Sequence, residues 1–475
     1  MRLFELLLLL TTAATPFIYG FIPQKKWQNA WLIGLYILVA SHLVIEQPRW
    51  QLTPLYIAVI LTPFYVQWTR RARIWMTMLI LLLSVFAATL GTLLPVFKLP
   101  TPNGEYPIGS QLLFLEDESR SEDITPEESD KRRLTVKIWY PSAISKGKRE
   151  RYLDNGLAQA FGKDKHLPGF IFSHFPLIKT HTIPNVSMAD GSFPVILLSH
   201  GYQWNAELYT SIVESLVSEG FIIVGLQHTH EAPLTIWKEE RLTTYQSYFD
   251  GVNAKFDFPK YQELEAEFKA SQDEEEQLQL MRDMMAVIPY GESVDRWAAD
   301  ISFVIDQLEA FQKDNQHFLH QKLNLDQIGM LGHSFGGAAA AQACAFDNRI
   351  RAGVNMDGSQ SGRLIDTTIT APFLALYADR NYEEFFTPNF FIYDQVMKGK
   401  FYEGMIRQTG HANFGDLGYW TPMHALTETG TISSDKIQSI LTNLLLQFLR
   451  DHVTDEIDNW EEQEYDVLVD LRRVQ

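Results

Sequence analysis

The stretch Gly329-Met-Leu-Gly-His-Ser-Phe-Gly-Gly-Ala-Ala-Ala-Ala341 confines one serine between glycines, after a short apolar run and ahead of a run of alanines. A serine on a sharp turn between a strand and a helix takes a strained backbone, and side chains two residues before and after it collide with the crossing chain. Glycine at Gly332 and Gly336 removes that collision. Residues 327–331 read as a buried strand and 338–344 as a helix, so Ser334 occupies a nucleophile elbow in its strand-turn-helix context. A plain small-residue turn packing a helix on a sheet is the competing reading.

The first hundred residues are of another kind. Four apolar segments, 3–22, 30–45, 52–68 and 74–97, stand where a bilayer core needs roughly 20 apolar residues per helix. The second is short, and the third carries Pro54 and Pro63. The expectation is an all-α bundle of about four transmembrane helices. A cleaved signal peptide competes for the first segment, but only Arg2 precedes it and more membrane-like sequence follows. Lys25 and Lys26 lie between spans one and two, and Arg70, Arg71 and Arg73 between spans three and four. Basic loops stay cytoplasmic, which makes the chain a multi-pass protein of the cell membrane with its large domain on the extracytoplasmic side.

Beyond residue 100 the chain holds 32 Lys and Arg against 56 Asp and Glu, a net charge of −24. Such a surface repels nucleic acid. The single Cys344 excludes an internal disulfide framework and a cysteine-rich metal site; within the alanine-rich helix it reads as a small core residue. Residues 99–108 read as a linker. After it, strand-like runs at 134–140, 193–199, 221–226, 328–331, 352–356, 373–377 and 401–407 alternate with helical ones, which implies an α/β domain with a mainly parallel sheet covered on both faces. Leu208, Ile212, Leu216 and Val217 form one helical stripe, ended by Gly220. Trp297, Ile301, Val304, Leu308 and Phe311 form a second. A third, capped by Ser434, buries Ile437, Ile440, Leu441, Leu444 and Phe448. The expected domains are a membrane anchor over 1–100, the α/β domain over 101–455 with a helical insert at 231–296, and an acidic tail over 456–475 as a surface appendage. The charged helix expected at 261–285 is either a solvated element or a lid.

A serine hydroxyl needs a histidine base, and the base needs a carboxylate to hold its tautomer. Around such an elbow the partners follow in the order serine, acid, histidine. Three histidines follow Ser334. His411, in a glycine-preceded loop after the last strand, is placed to reach the elbow; His452 ends a helix and His424 has no such placement. For the acid, Asp357 and Asp379 both end strands, where functional groups gather, and the pattern leaves both open. Two backbone N–H groups must receive the oxyanion: one from Phe335, the residue after the nucleophile, the other from Tyr202 in the loop after strand 193–199. The two histidines of Gln227-His-Thr-His-Glu231 share a strand face as metal ligands do, yet no third ligand cluster accompanies them, and neither metal nor other cofactor is expected. His200 and His333 read as structural neighbours of the oxyanion loop and the elbow.

Together, Gly332-His-Ser-Phe-Gly-Gly337, Leu198-Ser-His-Gly201, the Asp357 segment, Gly410-His-Ala-Asn-Phe-Gly-Asp416 and Lys137-Ile-Trp-Tyr-Pro141 resemble the plasma-type platelet-activating factor acetylhydrolases and their bacterial relatives. The resemblance runs from about residue 112 to 452. It implies an α/β-hydrolase fold, Ser334 as nucleophile, Asp357 rather than Asp379 as acid, His411 as base, and Tyr202 and Phe335 at the oxyanion hole. It further implies a small ester or phospholipid substrate with short or oxidised acyl chains and no cofactor. The four spans and the insert at 231–296 depart from the family's pattern. A broad carboxylesterase or polyesterase is the alternative reading, and a ligand-binding membrane sensor a third; the oligomeric state is open.

Overall fold

The computed structural model describes residues 1–475 except 155, 380, 381, 464 and 475, and except the side chains of 66 and 382–387. The first hundred residues fold into α1 (Leu3–Phe21), α2 (Lys25–Ile45), α3 (Thr53–Leu61) and α4 (Arg70–Leu93). By length and composition α1, α2 and α4 are long and apolar enough to cross a membrane. The second segment is longer than expected because its helix already begins at Lys25. The expected third span differs: α3 has nine residues, about 14 Å at an α-helical rise, against a hydrocarbon core of about 30 Å. Pro63, which lacks an N–H and crowds the preceding turn, turns the chain into the 3₁₀ segment Thr62–Gln67.

At one end of the bundle the buried Arg49 pairs with Glu5 at 2.7 Å and donates to the Leu94 carbonyl at 2.8 Å. The same end meets the rest of the chain. Trp50 Nε1 donates to the Ile171 carbonyl (3.1 Å), the Gln51 amide bonds His174 Nδ1 (2.8 Å), and Phe97 packs edge-on against Tyr152 (5.4 Å).

Among the described residues twelve strands follow: β1 (Ile108–Ser121), β2 (Lys131–Pro141), β3 (Ile183–Pro184), β4 (Phe193–Ser199), β5 (Ile222–Gln227), β6 (Leu234–Trp237), β7 (Glu240–Thr243), β8 (Leu323–His333), β9 (Ile350–Met356), β10 (Phe373–Ala378), β11 (Phe401–Ile406) and β12 (Val469–Arg473). β6 and β7 form a separate hairpin; the others make one sheet in the order β12-β11-β10-β9-β8-β4-β5-β2-β1-β3. From β5 to β11 every neighbouring pair is parallel. β2 adds to β5, and β12 to β11, antiparallel.

Parallel strands are buried on both faces, so their side chains feed two cores. In β10, Phe373, Ala375 and Tyr377 enter one core while Leu374, Leu376 and Ala378 enter the other. The helices are α5 (Leu157–Asp164), α6 (Thr210–Ser218), α7 (Gln246–Ala254), α8 (Phe258–Ala270), α9 (Glu274–Val287), α10 (Gly291–Lys313), α11 (Phe335–Phe346), α12 (Tyr382–Val396) and α13 (Ser434–His452). The stripes of α6 and α13 lie in one core; those of α10 and α11 lie in the other. Helix α6 is followed by Gly220 at φ +100°, a left-handed stop that glycine accepts without strain.

Four expectations are corrected. β1, absent from the sequence reading, follows the linker as a long antiparallel strand. The acidic tail is not a free appendage: β12 returns to the sheet, where Arg472 pairs with Glu403 at 2.6 Å. The charged helix at 261–285 is two helices, α8 and α9, divided where Asp273 accepts from Glu276 N–H at 2.8 Å as an N-cap. The cap of α13 is Ser433, since Ser434 is already helical.

Candidate active site

Ser334 sits between β8 and α11 at φ 54° and ψ −122°, a conformation that a non-glycine residue holds only where its surroundings enforce it. A Cβ on Gly332 would strike the Gly336 carbonyl. One on Gly336 would strike the carbonyls of Ser199 and His200, and one on Gly337 would strike the Asn355 side chain. The last contact escaped sequence reasoning. Asn355 locks the turn after β9, accepting from Gly358 N–H at 2.8 Å and donating to the Gly358 carbonyl at 2.9 Å.

The structure brings Ser334, His411 and Asp357 together. His411 Nε2 lies 3.0 Å from Ser334 Oγ, and His411 Nδ1 lies 2.6 Å from Asp357 Oδ2. Asp357 ends β9, and its second oxygen accepts the Ala378 N–H of neighbouring β10 at 2.8 Å, which fixes the plane of the carboxylate. His411 opens a 3₁₀ turn beyond β11. Asn413 pins that turn by accepting from Gly410 N–H and Gly430 N–H at 2.8 and 2.6 Å. With the carboxylate at Nδ1, the imidazole presents Nε2 to the serine hydroxyl as a proton acceptor.

Asp379 goes elsewhere. It is exposed and accepts from Gln408 N–H at 2.7 Å, bracing the approach to the histidine loop. His424 bonds Thr429, and His452 stacks on Tyr402 beside Asp451, both away from Ser334.

Phe335 opens α11, where the first N–H groups have no intrahelical partner. Tyr202 lies in the loop after β4. Among the described residues neither N–H donates to another backbone carbonyl. The rings of the same two residues meet at 5.1 Å. Phe249 of α7 packs on Tyr202 at 5.0 Å, and Tyr290 approaches Phe335 at 6.3 Å. The insert therefore reaches the rim through α7 and Tyr290, while Leu264, Phe268, Met281 and Met284 of α8 and α9 pack into the core.

Behind the loop after β4 lies a second serine-histidine-aspartate chain, fully buried. Ser199 Oγ bonds His228 Nε2 at 3.0 Å, and His228 Nδ1 bonds Asp300 Oδ2 at 2.9 Å. Trp297 stacks on His228 at 3.8 Å. Burial lowers the His228 pKa against the pull of Asp300. Burial opposes ionisation of Asp300 too, but Arg132 at 2.6 Å and His228 together outweigh it and hold the carboxyl well below its usual range. His230, the other histidine of the same motif, turns to the Thr243 carbonyl. No group of three metal-ligating side chains occurs among the described residues.

A family model described as platelet-activating factor acetylhydrolase, isoform II, matches residues 93–467. A platelet-activating factor acetylhydrolase of Cavia porcellus is 23% identical over 347 residues, which span 68% of this chain and 74% of that protein. A probable 1-alkyl-2-acetylglycerophosphocholine esterase of Arthroderma benhamiae is 26% identical over 174 residues, 37% of this chain and 33% of that protein. Among solved structures, a ferulic acid esterase from Streptomyces cinnamoneus superposes with a TM-score of 0.62 at 20% identity, covering 80% of this chain and all of the other; it shares the fold.

Proposed function

From the premise that the chain belongs to the platelet-activating factor acetylhydrolase, isoform II, family and is a serine ester hydrolase, we propose that it cleaves short or oxidised acyl esters of phospholipids through Ser334, His411 and Asp357. The observation that carries the reading is the continuous chain from Ser334 Oγ through His411 to Asp357 Oδ2, at 3.0 and 2.6 Å, beyond the carboxyl ends of the parallel strands.

Ser334 Oγ attacks the ester carbonyl while His411 Nε2 takes its proton. The tetrahedral oxyanion is received by the N–H groups of Tyr202 and Phe335. His411 returns the proton to the departing alcohol oxygen, leaving an acyl-enzyme on Ser334. Water, deprotonated by the same nitrogen, then releases the acid and restores the hydroxyl.

The apolar helices α1, α2 and α4 anchor the enzyme in a bilayer, with the segment of α3 and its 3₁₀ extension returning the chain so that Lys25, Lys26, Arg70, Arg71 and Arg73 share the cytoplasmic side. The hydrolase domain then lies on the extracytoplasmic side. What supports the anchoring is the outward apolar face of the bundle, where Ile37, Val44, Trp75 and Leu82 are exposed to 62, 80, 72 and 66%, far more than a water-facing surface carries; the orientation rests on the basic residues.

The test is labelling of the purified protein with a fluorophosphonate, followed by turnover on a phospholipid with an acetyl group at its second position. Label on Ser334 that is lost in His411→Ala, with hydrolysis of the lipid, is the expected result. Hydrolysis of short nitrophenyl esters without the lipid overturns the substrate class.

A further inference from the structure

Two histidines beside the reacting groups, His200 and His333, are fully buried, and their hydrogen bonds converge on one glycine. The His333 Nε2 atom lies 3.1 Å from the His411 carbonyl, and its Nδ1 lies 2.7 Å from Tyr209 Oη. A carbonyl only accepts, so Nε2 carries the hydrogen, Nδ1 is the acceptor, and the Tyr209 hydroxyl donates to it. A lone pair on the same hydroxyl receives Gly201 N–H at 2.9 Å. Every donor and acceptor from Gly201 to His411 is thereby matched.

The other polar group of Gly201 is held as well. Its carbonyl accepts from His200 Nδ1 at 2.7 Å and from Trp204 N–H at 3.0 Å. His228 N–H donates to His200 Nε2 at 3.3 Å, which selects that tautomer. Burial, helped by the neighbouring His228, lowers the His200 pKa to about 3 and keeps the ring neutral. A trans peptide points its C=O and its N–H in opposite directions. Holding the Gly201 carbonyl on His200 therefore aims Tyr202 N–H away from the buried side.

We propose that Tyr209 and His333 are positioning residues that tie the oxyanion loop to the loop bearing His411, so that the proton acceptor and the Tyr202 N–H keep one fixed geometry about Ser334. The proposal rests on the reading of Ser334, His411 and Tyr202 given above. Neither Tyr209 nor His333 is called on to touch substrate. Their effect falls on the transition state, where a misdirected oxyanion donor and a displaced base are felt together.

The experiment compares the full chain with Tyr209→Phe, which removes one oxygen, and with His333→Leu and His333→Gln. For Tyr209→Phe we expect kcat to fall about 10- to 100-fold with KM changed by less than about threefold, and affinity for a trifluoromethyl ketone analogue to fall in parallel with kcat. His333→Gln, which keeps a donor and an acceptor, should recover most of what His333→Leu loses. The double variant Tyr209→Phe/His333→Leu should lose little more than either single one, because one chain is broken once. Unchanged kcat and ketone affinity in Tyr209→Phe, with turnover abolished by Ser334→Ala, overturns this proposal alone. Fully additive losses also overturn it. A wild-type chain without esterase turnover overturns both this proposal and the reading beneath it.

Discussion

Asp357 Oδ2 lies 2.6 Å from His411 Nδ1 although 54 residues of chain separate them. Asp379, nearer in sequence to His411 and also at a strand end, is exposed and caps Gln408 instead. The Asp357→Asn variant is therefore expected to lose on the order of 10⁴ in kcat, since the amide misdirects the imidazole tautomer. Asp379→Asn should stay within about tenfold of wild type, as a surface change away from the reacting groups does. Steady-state kinetics on one short-chain ester separate the two, and equal losses would sink the assignment of Asp357.

The elbow glycines answer to backbone, which cannot rotate away. Gly336→Ala sets a methyl against the Ser199 and His200 carbonyls. It should destabilise the fold by about 1–3 kcal/mol or more and lower the fraction of Ser334 that takes fluorophosphonate label. Thermal unfolding together with labelling checks both; a variant as stable and as reactive as wild type contradicts the packing described.

Buried Asp416 titrates far from its ordinary range. Burial pushes its pKa up to about 7, against hydrogen bonds from Ser211 and Tyr152 that favour the anion. The folded chain then holds a proton that the unfolded chain releases near pH 4. This group's contribution to stability is greatest below that pH, declines as pH rises to about 7, and is level above. Asp416→Asn, neutral throughout, should be more stable than wild type at pH 8 by about 1–4 kcal/mol, with the gap closing toward pH 4. Urea unfolding at both pH values tests this, and a gap that does not change with pH defeats it.

Asp300 is the anion at the centre of the buried polar network, meeting Arg132 at 2.6 Å and His228 at 2.9 Å. Removing it leaves Arg132 desolvated with fewer partners. Asp300→Ala should cost about 3–5 kcal/mol, read as a lower urea midpoint. A loss below about 1 kcal/mol, the range of exposed ion pairs, would mean that water reaches the network.

Cys344 is buried in α11, so the chain offers no accessible native thiol for labelling. A cysteine at Lys313, whose side chain is 78% exposed at the end of α10, should react with a membrane-impermeant maleimide on intact cells. Reaction only after lysis would reverse the orientation proposed for the domain.

Much of this protein is written in local sequence. Glycine spacing around Ser334 announces the elbow because the collision it avoids lies within five residues of chain. Alternation of apolar runs announces the parallel sheet, and long apolar segments announce α1 and α4, because periodicity and hydrophobic length are properties of contiguous residues. Other features are not written there. β12 is an edge strand, and β1 is flanked on its outer side only by the two-residue β3, so both are partly washed by solvent and mix polar with apolar residues. Pro63 ends an α-helix that hydropathy alone would have continued.

The choice of Asp357 over Asp379 depends on which strand end the histidine loop overhangs, and hence on β9 lying between β8 and β10. The joining of Gly201, Tyr209, His333 and His411 depends on three loops meeting beyond one end of the sheet. Backbone conformation responds to neighbours in the chain and hydrogen-bond partnership to neighbours in space. The residue types of this site were therefore determined by sequence, and their partners only by the tertiary fold.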